Sequence, residues 1–419
     1  MKKNISYFPK DFFIFIIVIA MMLLTGFSGC KEDEPTSLYD PNYITRIQPI
    51  VDSLSPSGGA LAGIDVITVH GKNFSTVKTE NTIYFDIQKG TIQTATATQL
   101  TVKVPLLVKD TVAVKVSVVG ADKFSEIKTY KLIGAVSEFG ALSSFEDAYA
   151  IACDKIGNLY ASLVLNSIGN GIRKFTPSGD TSTFAPKGSE TNWTAIKVGS
   201  DGTLYACRNQ FAIFSIAAGA KSIIFKSIPG SKLYDLDFDK NLNIWSGGAF
   251  DSIYKIQPDK SHKGFFFASN ANVRSVRIYK DFLYVGGKVD SIEGVWRAPI
   301  DGSGSLGTFQ KYFDLSAQPG YSYNGANVTA ITFNSDGDLY IGTNGKDGIL
   351  LVHSSSPTTA EPFYSGLFVA NAENYSFAWG SGTTLYVTRR NNAIITISQI
   401  LIKINTQKQS APYYGRGDI

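Results

Sequence analysis

The sequence predicts an all-β chain in which an immunoglobulin-like sandwich is followed by a six-bladed β-propeller. Three observations carry this. A short phrase ending in Leu-Tyr or a close variant recurs six times, at Gly157–Tyr160, Gly202–Tyr205, Leu242–Trp245, Asp281–Tyr284, Gly337–Tyr340 and Gly382–Tyr386. Its aromatic residues lie 39 to 56 positions apart, the length of a four-stranded blade. Upstream of the repeats, short alternating apolar runs are broken by turn residues, and the chain combines 39 glycines with only 18% charged residues. At 419 residues it exceeds one ordinary core, so two domains and an export segment are expected.

Residues 1–29 read as the export segment. Lys2, Lys3 and Lys10 precede the unbroken apolar run 12–24, which suits the core of a signal peptide and is shorter than the roughly 20 residues that span hydrocarbon. Ser28 and Gly29 before Cys30 resemble a bacterial lipobox, with Phe27 where an aliphatic residue is usual. The resemblance implies that the Cys30 thiol is acylated, the preceding peptide removed and the protein held to a membrane by its lipid anchor. An uncleaved anchor ending at Gly29 is the alternative, and both readings export the rest of the chain.

Lys31, Glu32, Asp33 and Glu34 follow directly. Such a charge run reads as a solvated spacer. It also resembles the acidic tetrad of surface-exposed Bacteroidetes lipoproteins, which implies an outer-membrane protein facing the cell exterior, with a periplasm-facing anchor as the alternative. Residues 30–45, with Pro35 and Pro41, are read as an acidic tether that supplies reach.

Residues 46–133 read as the sandwich, with strands expected over 65–70, 81–85, 91–96, 100–104, 112–119 and 127–132. Ser55–Gly59, Gly63–Phe74, Ile83–Phe85, Leu100–Pro105 and Tyr130 together resemble an IPT/TIG domain; Asp86 stands where a glycine often follows the Ile83–Phe85 strand. The resemblance implies a spacer or partner-docking module with no catalytic residue.

Residues 134–419 read as the propeller. Strand a precedes the phrase, the phrase opens strand b, and strand c follows at 171–175, 212–216, 252–256, 294–298, 348–352 and 400–404. Asp154–Tyr160 with Ile172–Gly179 resembles an NHL-type blade. Six repeats close as a ring only if one terminus completes the blade begun by the other, and either Val136–Phe139 or Pro412–Tyr414 would serve.

Chemical motifs are sparse. The three histidines, His70, His262 and His353, fall in unrelated places, and no P-loop, HExxH, GxSxG or paired-cysteine zinc spacing occurs. Catalytic residues, a metal and a cofactor are therefore not expected. Net charge is +4, about +2 without residues 1–29, and no basic patch argues for nucleic acid. Cys153 and Cys207 are expected as buried free thiols. Aligned on the phrase, Lys197 shares register with Asp237 and Asp235 with Arg274, which reads as ion pairs across blade interfaces. Arg416–Asp418 resembles an integrin tripeptide, and three residues carry no weight.

The connections from d to a and from b to c emerge on one face of a propeller. There the alignment places Tyr149, Trp193, Tyr234, Asn327 and Tyr375, with Arg208, Asn209, Lys288, Asn344, Arg389 and Arg390 beside them. Flat aromatics among amide and guanidinium donors suit sugar rings, while aromatics at loop starts also simply cap blades. The function expected is non-enzymatic binding of a polysaccharide, an oligosaccharide or a protein, with an outer-membrane importer complex as the candidate partner. The alternatives are a propeller lyase or lactonase acting on a carbohydrate, and a structural or complex-assembly protein of the cell envelope.

Overall fold

The structure, a computed structural model, describes residues 45–143, 145–318, 326–368, 370–390 and 400–418. The export segment, Cys30, Lys31, Glu32, Asp33, Glu34 and the tether up to residue 44 lie outside the described residues, as does the side chain of Arg390. Among the described residues no helix is long and apolar enough to cross a membrane.

The sandwich packs two sheets. One orders Ile50–Ser55, Val66–Lys72, Gln99–Lys103 and Thr91–Ala95; the other orders Ala60–Leu61, Lys128–Ile133, Lys109–Val118, Asn81–Phe85 and Gln88–Lys89. Alternation along each strand sends Ile67, Val69, Leu100, Val102, Val112, Val114 and Val116 inward onto Ile83, Phe85 and Phe74. Asp86 adopts φ 52°, so a glycine suits that turn for conformational reasons. Here the aspartate also accepts hydrogen bonds from Lys109 Nζ (2.7 Å) and Ala113 N (2.8 Å).

The propeller has six blades, each with strands a to d running outward. Blade 1 is Glu146–Cys153, Leu159–Leu165, Ile168–Phe175 and Thr181–Ala185; blade 2 is Ala195–Val198, Leu204–Cys207, Ala212–Ile216 and Ile223–Ser227. Blade 3 is Lys232–Phe238, Ile244–Ala249, Ser252–Ile256 and His262–Phe266; blade 4 is Ala271–Tyr279, Phe282–Val289, Ile292–Pro299 and Gln310–Asp314. Blade 5 is Val328–Phe333, Leu339–Thr343, Ile349–Val352 and Glu361–Pro362. Blade 6 takes a, b and c from Glu373–Trp379, Thr384–Arg390 and Leu401–Asn405, and its strand d is Val136–Glu138, with Val136 opposite Ile404. The N-terminal candidate therefore closes the ring.

The repeated phrase has a local cause. In five of the six its first residue is the left-handed corner of the a–b turn, as at Gly157, Gly202 and Gly337 with φ of 89°, 80° and 91° and at Leu242 with 60°; in the fourth the corner is Lys280, just before Asp281, at 53°. The preceding Asp154 caps the turn, with Oδ1 accepting from Ile156 N and Asn158 N and Oδ2 from Asn158 Nδ2 and Tyr160 OH. Asp239 does the same for Asn241, Asn243 and Trp245 Nε1 (2.8 Å). The aromatic body is core: Tyr160, Trp245, Tyr284, Tyr340 and Tyr386 are all buried. Each such side chain contributes about 1.5–3 kcal/mol of apolar burial.

Candidate functional site

The central channel is where six inner strands meet, and its two ends differ. At the lower face, formed by the a–b turns, the chain's last residues cross the opening. Having given the strand d position to Val136–Glu138, the segment after Asn405 is free to turn inward. Ser335 N bonds Gln409 O (2.9 Å) and Ala411 N bonds Phe333 O (3.1 Å) along strand a of blade 5. Tyr413 then enters the channel, its hydroxyl 3.0 Å from Thr332 Oγ1. Gly415 lies against Phe238 and the Val198 carbonyl so closely that a Cβ there would sit 2.4 Å from the Phe238 ring. Arg416 donates to the Trp379 carbonyl (2.6 Å) and to Asp418 (2.8 Å), and Lys155 Nζ donates to Gly417 O (3.0 Å). The Arg416–Asp418 tripeptide is thus built into this plug, with Arg416 and Asp418 bound to each other.

Asp235, Asp237 and Arg277 inside the channel are committed to holding blades together. Asp237 bonds Arg277 Nη1 (2.6 Å) and Ile278 N (2.8 Å) of blade 4. Asp235 accepts from Val276 N (2.7 Å) and Ser275 Oγ (3.0 Å) of the same blade. Ser275 Oγ in turn accepts from Ile331 N of blade 5, and Ser376 Oγ of blade 6 from Ile151 N of blade 1. Side chains of one inner strand thus satisfy backbone donors of the next. The expected pairing is corrected accordingly: Asp237 pairs with Arg277, which projects from the adjacent strand at the right height, and Arg274 pairs with Glu293. Lys197 lies in the channel near both aspartates, 5.6 Å from the Tyr413 ring centroid, and among the described residues makes no ion pair within 4.0 Å. Burial pushes the Asp235 carboxyl above the ordinary carboxylate range, against the pull of Lys197.

Above the plug little room remains. The upper channel, bounded by Thr194, Lys197, Asp235, Arg274, Thr329 and Tyr375 among others, holds about 20 Å³. That is space for about one water, not a sugar ring. Among the described residues no group of three or more His, Cys, Asp and Glu side chains is arranged to hold a metal ion. Cys153 and Cys207 are free and buried, and burial pushes both thiols up.

The upper face carries the d–a and b–c connections, and the residues expected there divide. Trp193 is corrected from a solvent-facing platform to core. It is 1% exposed, set edge-on to Phe214 with centroids 5.2 Å apart, because the long d–a connection folds it beneath the rim. Arg208 is half-buried over the Phe214 ring (4.5 Å) and bonds Ser189 Oγ (3.3 Å), so its guanidinium covers Trp193. Tyr375 is buried, edge-on to the half-buried Tyr149 at 5.6 Å. Arg389 is 3% exposed, with burial pushing its pKa down to about 10, and lies 5.8 Å from the Phe368 centroid. Tyr375 and Arg389 are therefore also corrected, from surface contacts to packed walls. Asn344 is half-buried and caps Asn327 N through Oδ1 (2.7 Å). Tyr234 is half-buried and accepts from Thr194 Oγ1 through its carbonyl (2.6 Å). The backbone of Arg390 pairs with Glu373. Tyr149 meets Tyr375, and Trp193 meets Arg208, but the set does not form one patch.

What alignment missed are aromatics at the b–c turns: Phe211 and Phe250 are exposed at neighbouring blades. Each is an aromatic a few residues beyond or just after strand b.

Residues 49–131 match the IPT/TIG domain family, so such a domain is present. No curated protein matches the chain. Among solved structures the fold resembles a putative phosphatase from Bacteroides thetaiotaomicron, at 10% identity over 86% of this chain and 97% of that chain, with a TM-score of 0.55. It also resembles an auxiliary nutrient binding protein from the same organism, at 11% identity over 87% of this chain and 98% of that one (TM-score 0.48). A third is a putative gluconolactonase, at 12% identity over 66% and 94% (TM-score 0.48). At these identities the likeness is one of fold alone.

Proposed function

We propose that this chain is a lipid-anchored outer-membrane protein, displayed on the cell exterior, that binds a saccharide on the upper face of its propeller. The sandwich acts as the spacer that lifts that face from the membrane. One observation carries the reading: the plug seals the lower mouth, and the upper channel has room for only about one water. A ligand therefore meets the upper rim rather than a deep pocket. Binding rather than catalysis is supported by the use of Asp235 and Asp237, whose Oδ2 atoms are occupied by strand a of blade 4 and whose Oδ1 atoms accept from the next N–H of their own strand. A lactonase-like centre would need several free carboxylate or amide ligands on the axis.

Two measurements test this. Labelling with a radioactive fatty acid should mark the full chain and fail for Cys30→Ser, and protease added to intact cells should digest the propeller. A protein that is unlabelled or protected would overturn the anchor and its orientation. Retardation of the full chain in affinity gels containing polysaccharides should identify a saccharide. Migration unchanged in every gel, with stoichiometric co-purification of a membrane protein, would favour the assembly role instead.

A further inference from the structure

Among the described residues the upper face bears a shallow, open cleft at the junction of blades 2 and 3. It encloses about 420 Å³ and is lined by Phe211, Pro229, Gly230, Ser231, Lys232 and Phe250. Phe211 and Phe250 are 47% and 53% exposed. Neither ring is placed by burial, and Phe250 is also held at φ 91°, where a bulky side chain is disfavoured.

The frame beneath these rings is rigid. The b–c loop of blade 2 is tied to strand a of blade 3 by Asn209 N to Leu233 O (2.9 Å) and Leu233 N to Gln210 O (2.8 Å). Ile228 N bonds Phe211 O (2.7 Å), and Phe267 N bonds Asp251 O (2.6 Å) beside Phe250. The backbone that carries the two rings is therefore held in place. Of the six lining residues one is charged: Lys232, whose Nζ lies 5.7 Å from the Phe250 centroid.

We propose that this cleft binds a pyranose bearing a carboxylate, a uronic acid unit of an acidic polysaccharide. The electron-rich ring faces attract the polarised C–H groups of a sugar, and Lys232 pairs with the carboxylate at the cleft wall. A flat apolar partner would use the rings and leave the ammonium unanswered, and a neutral sugar's hydroxyls would accept from it without the charge-assisted strength that a carboxylate gives. The proposal rests on the reading of the upper face as a saccharide-binding surface.

The test uses the full chain in detergent on affinity gels containing polygalacturonate or alginate, with amylopectin and laminarin as neutral counterparts. Retention is expected in the uronate gels, weakening as salt is raised. Phe211→Ala and Phe250→Gly should each weaken it about tenfold or more, as loss of an aromatic anchor does. Phe250→Gly should do so with an unchanged or higher melting temperature, since glycine accepts the left-handed backbone, which separates lost binding from lost folding. Lys232→Gln should reduce uronate retention to the neutral level. Equal retention by neutral and uronate gels, or uronate retention indifferent to both phenylalanines, overturns the acidic-sugar cleft and leaves saccharide binding standing. Retention in no gel overturns both.

Discussion

The guanidinium of Arg277 lies 3.5 Å from the ring centroid of Tyr413, on the face of a tyrosine contributed by the chain's last turn. The same guanidinium holds Asp237 on one side and donates to the Pro412 carbonyl (2.8 Å) on the other. One arginine thus joins blade 3, blade 4 and the tail. A stacked, desolvated cation of this kind contributes up to about 2 kcal/mol beyond its ion pair.

Ending the chain after Lys408 should therefore open the lower mouth. The loss of the stacked ring and of the tail's hydrogen bonds is expected to lower stability by about 2–4 kcal/mol, read by urea unfolding. Cys153 lines the sealed end beside Tyr413 and Arg416, whereas Cys207 lies behind Ser246. Alkylation mapped by mass spectrometry should rise at Cys153 in the truncated protein and stay low at Cys207. Equal protection of both would show that the tail is not the barrier.

Arg277→Met should cost about 3–5 kcal/mol because it strands Asp237 in the interior. Combining it with Asp237→Asn should cost less than the two single changes added. Strict additivity in a double-mutant cycle would deny the coupling.

Trp193→Ala should behave as a core truncation, destabilising by about 3–5 kcal/mol. Its Nε1 is buried without a hydrogen-bond partner among the described residues, so Trp193→Phe should fall within about 1 kcal/mol of the parent. A phenylalanine variant that unfolds readily would reveal a partner for that N–H.

Two carboxylates should tilt the pH dependence of stability in opposite directions. Burial alone would raise the Glu146 carboxyl, but the Arg173 guanidinium and the Ser143 N–H outweigh it and hold it below its ordinary range. As pH falls the unfolded chain takes up that proton first, so the contribution is full above the ordinary range and is lost as pH drops through the depressed value. Glu146→Gln should cost about 1–3 kcal/mol at neutral pH and flatten the acid limb. For Asp235, which burial raises, the native state binds the proton first. Its contribution is full below the ordinary range and is lost as pH rises through the raised value, so Asp235→Asn should remove that decline. Unfolding curves across pH for both variants decide the matter.

The blades were legible because each phrase encodes a turn with few solutions, a left-handed corner that Asp154 and Asp239 cap in blades 1 and 3, followed by an aromatic that packs between sheets. Strand c at Ala212–Ile216 and Ser252–Ile256 falls where its apolar periodicity places it. The plug was not legible: Pro412 to Gly415 has no periodicity, and its place depends on which terminus completes blade 6. The upper rim was only half legible. Register puts Trp193 before strand a and expects Tyr375 there too, though Tyr375 lies within strand a of blade 6, and register says nothing of whether a loop turns its aromatic under the rim or over it. For Phe211 and Phe250 the answer was over, and nothing in two isolated phenylalanines announces that.

Pairing Val136 with Ile404 also sets a timetable. The last blade cannot be completed until strand c at Leu401–Asn405, near the far end of the propeller, is free to pair with it. During that wait Val136–Glu138 is an unpaired edge, and five blades stand as an open arc with apolar flanks. Burial of the ring therefore arrives in one late step, and it is the newest residues, not the oldest, that lock the assembly shut.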